Sequence, residues 1–160
     1  MRQLLATTTV LLLALIMVGS GCSLPSLATP GWGRGQAGDF EVRFAAHPPN
    51  PAAGAGTEFT LELTNRGTSK VVLEFNTSQE FDLVIKSGST TAWRWSGGMM
   101  FLQVITRKEL APGESLGYRV RWDGKDQDGK TLPAGTYMVS AEFKGKGVKV
   151  SIPQLQLVVQ

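Results

Sequence analysis

The chain has 160 residues, with 16 basic and 13 acidic side chains and a net charge of +3, about one domain's worth of sequence. The cations do not cluster: Lys144, Lys146 and Lys149 alternate with glycine and valine in a hairpin-like stretch. A nucleic-acid binder needs a concentrated basic face, so no nucleic-acid partner is expected. One histidine and one cysteine are too few soft ligands for a zinc site, and no second cysteine exists to form a disulfide.

The chain opens with Arg2, an apolar stretch from Leu4 to Val18 interrupted only by threonines, and Gly19-Ser20-Gly21 ahead of Cys22. This predicts a secretory signal over residues 1–22, too short to favour a permanent membrane span. A lone cysteine directly behind small residues resembles the acylation site of a bacterial lipoprotein, with Gly19 standing where that motif usually carries leucine. The resemblance implies a lipid on Cys22, and more than one acyl chain there would anchor the protein stably. The plain alternative is ordinary secretion with an unpaired thiol. In either case the domain is expected outside the cytoplasm. Residues 23–38, rich in Gly, Pro, Ser and Ala, read as a flexible tether. Gly31, Gly33 and Gly35 do not make a phosphate loop, because neither a strand before them nor a helix after them is predicted.

From Asp39 to Gln160 the signal is β throughout. Phe40, Val42 and Phe44 alternate with charged residues, and His47-Pro48-Pro49-Asn50-Pro51 forces an extended, non-pairing connection. Phe59, Leu61 and Leu63 alternate with Glu58, Thr60 and Glu62, the period of a half-buried strand. Asn65-Arg66-Gly67 turns into the run Val71 to Phe75. Phe81, Leu83 and Ile85 open the central stretch, a polar turn at Ser87–Thr91 reverses it, and Trp93-Arg94-Trp95 sets two indoles on one face of an extended segment. Ser96-Gly97-Gly98 breaks that strand. An apolar run from Met99 predicts a further strand continuing through Leu102 to Ile105, before the reversal at Ala111-Pro112-Gly113. Leu116, Tyr118, Val120 and Trp122 share a face; Val139, Ala141 and Phe143 follow a hydrophilic loop, and a last strand is expected from Val148 to Val159. About eight or nine short strands, with turns at near-regular spacing, predict an antiparallel β-sandwich.

Candidate chemistry is sparse. His47 sits between Ala46 and Pro48 with no nucleophile motif nearby, so no catalytic site is expected. Asp123, Asp126, Asp128 and Gly129 resemble part of a calcium loop. Aligning Gly129 with the invariant glycine, however, puts Gly124 and Gly135 where the spacing demands oxygen ligands. Those carboxylates are therefore expected to accept from turn amides, and neither a metal nor a cofactor is implied. Trp93 and Trp122 are expected in the core. Trp95, Gly97, Gly98, Met99 and Met100 form the candidate partner-binding surface. Large apolar groups flank a Gly-Gly break where a turn would normally be polar, although the same residues could fold back as a plug over the end of the sandwich.

The order of strand, turn, Trp93-Arg94-Trp95-Ser96 and then Met100-Phe101 is similar to the centre of the BsuPI family, named after a bacterial intracellular proteinase inhibitor. The pattern continues through Leu110-Ala111-Pro112-Gly113-Glu114-Ser115 to the strand ending at Trp122, and the resemblance spans residues 57–144. It implies an immunoglobulin-like β-sandwich over 39–160 and, as function, the binding of a protein partner that is a protease. The family's prototype is intracellular whereas this chain carries an export signal, so the prototype's target does not carry over. The alternative is a structural or accessory envelope lipoprotein without inhibitory activity.

Overall fold

The structure, a computed structural model, describes residues 32–37, 39–146, 148 and 150–160. The leader, Cys22 and the first part of the tether lie outside these residues. The described residues form ten strands and no helix: β1 (Trp32–Ala37), β2 (Phe40–His47), β3 (Thr57–Asn65), β4 (Val71–Phe75), β5 (Phe81–Ser87), β6 (Thr90–Arg94), β7 (Thr106–Leu110), β8 (Ser115–Trp122), β9 (Gly135–Phe143) and β10 (Leu155–Val159). All pair antiparallel. One sheet runs β1-β2-β3-β8, a second β10-β9-β5-β6, and β4-β7 form a two-stranded ribbon. This is a β-sandwich.

The alternation seen in the sequence sets the register. Phe44 lies opposite Leu61, and Leu61 opposite Tyr118, so one inward row crosses three strands of the first sheet. Phe40, Val42, Phe44, Phe59, Leu61, Leu63, Val120 and Trp122 from this sheet are buried against Leu83, Ile85, Val139, Leu155 and Leu157 of the second. Each such side chain removes apolar surface from water, worth ~1.5–3 kcal/mol. Two indoles help join the sheets: Trp93 of β6 packs on the core with its ring 6.5 Å from that of the buried Trp122 of β8. The Trp122 indole nitrogen donates to the carbonyl of Lys125, 2.7 Å away, so burial leaves no polar atom unpaired there.

Three departures from the sequence-based expectations concern strands. Residues 32–37, read as part of the tether, pair with β2 along its length, from Trp32 opposite Ala45 to Ala37 opposite Phe40. Gly33 and Gly35 weaken the local strand signal, so the strand shows itself only through its pairing. The strand expected through Leu102–Ile105 does not form; β7 starts only at Thr106 and runs through the charged segment TRKEL. The last strand, expected from Val148 to Val159, is shorter and begins only at Leu155.

Candidate functional site

β5 places Asp82 next to Phe81, and the two residues build the site from opposite faces of the strand. Phe81 joins the core. Asp82, on the other face, is covered by the chain leaving β6 and is only 2% exposed. A buried carboxylate must be paired, and this one accepts four hydrogen bonds. One oxygen takes Arg94 Nη1 at 2.9 Å and Ser96 Oγ at 2.9 Å; the other takes the amides of Ser96 at 3.2 Å and Leu83 at 2.9 Å. The turn after β6 is thereby fixed, and Trp95 N donates to Leu83 O at 2.9 Å.

Gln127, from the loop after β8, clamps the same turn. Its side-chain oxygen accepts from Arg94 N at 2.9 Å and its amide nitrogen donates to Gly97 O at 3.3 Å. A Cβ at Gly97 would collide with that amide, and Gly98 has φ of 78°, a left-handed conformation that only glycine adopts without strain. The Gly-Gly break is therefore a built turn, closed by bonds from Gly97 N to Arg94 O and from Met99 N to Ser96 O, each 3.1 Å.

An aromatic row runs under the turn. Trp95, half-buried, stacks on Phe81 at a centroid distance of 4.2 Å, Phe81 meets Tyr118 at 4.5 Å, and Phe101 lies 5.9 Å from Trp95. The Tyr118 hydroxyl donates to Glu80 at 2.8 Å, and Lys108 reaches the same carboxylate at 2.6 Å. Burial, reinforced by the Glu80 charge, pushes the Tyr118 hydroxyl far above its ordinary value, so it remains a proton donor.

Beyond this base the chain is exposed. Met100 is 99% accessible and Leu102 73%, and Met99, Val104 and Ile105 are also exposed. Phe101, between Met100 and Leu102, is half-buried, so the side chains alternate outward, inward and outward. Leu102 is held in place by Ser78: its amide donates to the Ser78 hydroxyl and its carbonyl accepts from the Ser78 amide, both at 2.9 Å. The result is a loop from Met99 to Ile105 fixed at its base and middle and apolar on its outer side.

Of the residues singled out from sequence, Met99 and Met100 stand free on this loop, Gly97 and Gly98 shape its entry, and Trp95 lies beneath it as its platform. Leu102, Val104 and Ile105 were hidden in the expected strand. The available signal was the unbroken apolar run Met99-Met100-Phe101-Leu102 that leads into them, since a strand on a sandwich surface should alternate. Asp82, Ser78 and Gln127 carried no signal, because their partners are distant in sequence. His47 lies exposed at the end of β2. In the loop after β8, Asp126 accepts from the amides of Asp128 and Lys130 at 3.0 and 2.8 Å, and Asp123 from that of Lys125 at 3.2 Å, as expected for turn carboxylates.

A family model described as BsuPI, intracellular proteinase inhibitor, matches residues 45–148, which contain the whole of this loop and its base. The chain belongs to this family. No curated protein matches it. Among solved structures, a β-glucosidase from Erythrobacter marinus is similar at 18% identity, over 80% of this chain, with a TM-score of 0.34. The chain spans 15% of the length of that glucosidase, and a likeness so distant carries no argument. The family is described as one of inhibitors, and the loop between β6 and β7 carries most of the exposed large apolar side chains among the described residues.

Proposed function

We propose that this chain is a proteinase inhibitor that meets its protease through the loop Met99–Ile105, shaped by Trp95, Gly97 and Gly98. The observation that carries this reading is an apolar loop exposed to water although its base is fixed by buried hydrogen bonds and an aromatic stack. Large apolar side chains held out of the core are costly in water unless a partner covers them. A loop already ordered loses little freedom on binding, which is what an inhibitor needs in order to hold a cleft. The leader over 1–22 and the lone Cys22 support a site of action outside the cytoplasm, tethered by lipid. The family's description refers to an intracellular inhibitor, so the target of this member is a different protease, one exposed on the outer side of the membrane.

Titrating serine proteases with the purified full chain tests the reading. The chain should inhibit at least one of them stoichiometrically. The double variant Met99→Ser, Met100→Ser should abolish inhibition and leave the thermal midpoint within about a degree of the parent, since exposed positions contribute little to folding. A chain that leaves every protease of a broad panel fully active is an envelope lipoprotein of another kind.

A further inference from the structure

We propose that Met100 is the side chain that enters the primary specificity pocket of the target, and that the target is a protease whose pocket is deep and apolar. The inference rests on the inhibitor reading above and names its contact residue and target class. Met100 is the most exposed large apolar residue described and is unbranched, so it can thread a narrow pocket that a β-branched side chain would block. Its neighbours fix the backbone on both sides: Ser96 O holds the Met99 amide, the Phe101 ring lies against Trp95, and Ser78 holds both polar groups of Leu102.

Leu102 is the competing candidate, and its backbone decides against it. Protease clefts bind a substrate-like segment by pairing with its main chain as an added strand. The amide and carbonyl of Leu102 are already engaged by Ser78. Among the described residues, no hydrogen bond engages the backbone of Met100, Phe101 or Gln103, which leaves these groups free for such pairing.

The same unpaired backbone argues against insertion of the loop into lipid, where unsatisfied amides and carbonyls are strongly disfavoured. A membrane-seated loop is also usually rimmed by free cations. Here Arg94 is bound to Asp82, Arg107 to Glu74 and Lys108 to Glu80.

The test uses the full chain and its Met100→Leu, Met100→Gly and Met100→Arg variants. Each is assayed against chymotrypsin and subtilisin, whose pockets accept apolar groups, and against trypsin, whose pocket ends in a carboxylate. The parent and Met100→Leu should inhibit an apolar-pocket enzyme and spare trypsin. Met100→Gly should weaken that inhibition about 10²-fold, the effect of losing a central anchor. Met100→Arg should lose it and gain inhibition of trypsin. If Met100→Gly and Met100→Arg both inhibit as the parent does, Met100 is not the pocket residue, and the inhibitor reading stands without it. If the parent inhibits none of these enzymes but sediments with phosphatidylglycerol vesicles in a Met100-dependent way, the loop is a membrane contact and both readings fall.

Discussion

Asp82 is the residue on which the site's geometry turns. Its carboxylate is enclosed, yet its main partner Arg94 remains half in solvent, with a side chain 48% accessible. Removing the acid therefore does not strand a fully buried cation, which limits the loss. Asp82→Ala should cost ~2–3 kcal/mol, from the amide and hydroxyl of Ser96 and the amide of Leu83 left without an acceptor. Urea denaturation reads that change. The sharper consequence is local: with the turn released, Met99–Ile105 becomes mobile, and inhibition should weaken by more than the loss of folded protein explains. A variant that loses stability but inhibits like the parent would separate the loop's shape from its Asp82 base.

At the scale of the elements, charge is organised on the outer face of the first sheet. Glu41 of β2 accepts from Arg43 of the same strand at 2.9 Å and from Arg66 of the turn after β3 at 2.8 Å, with Arg34 of β1 at 3.4 Å. The hydrogen bond from Arg66, followed by that from Arg43, holds the Glu41 carboxyl below its ordinary value of 4.5. A carboxyl whose value falls on folding contributes stability that is present above its unfolded value and is lost as pH drops through the folded one. Thermal midpoints should therefore fall more steeply below pH ~4.5 for the parent than for Glu41→Gln, with a constant gap near neutrality. Parallel curves at every pH would show that the three arginines do not act through this carboxyl. The network also ties β1 to β2, which suits a strand whose sequence has little β preference of its own.

For the molecule as a whole, the expectation is a sandwich held beside the membrane by its amino-terminal end. Cys22→Ala should move the chain from the membrane fraction to the soluble one and leave its folding and protease inhibition unchanged, since the cysteine precedes the β-patterned sequence from Asp39 onward. Fractionation followed by a protease assay on both fractions reads both halves of this outcome. Retention of the variant in the membrane fraction would mean that the uncleaved leader or the apolar loop holds the chain there.

The fold class and most of the strands were legible in the residue pattern. In Phe59-Leu61-Leu63, Phe81-Leu83-Ile85 and Leu116–Trp122 the period of two states directly which side faces the core, because neighbouring side chains on a strand must point to opposite faces. It also marked the Gly-Gly break and the two methionines as unusual, and the family resemblance followed from the same stretch. Tertiary structure alone decided that residues 99–105 are an exposed loop and not a strand, and that 32–37 are a strand and not a tether. Pairing depends on whether a second strand edge is within reach, which local pattern does not encode. It alone also joined Ser78, Asp82 and Gln127 into the support of one loop. Their hydrogen bonds cross up to 33 residues of sequence, as from Arg94 to Gln127, and polar residues scattered at such intervals have no period to betray a shared site.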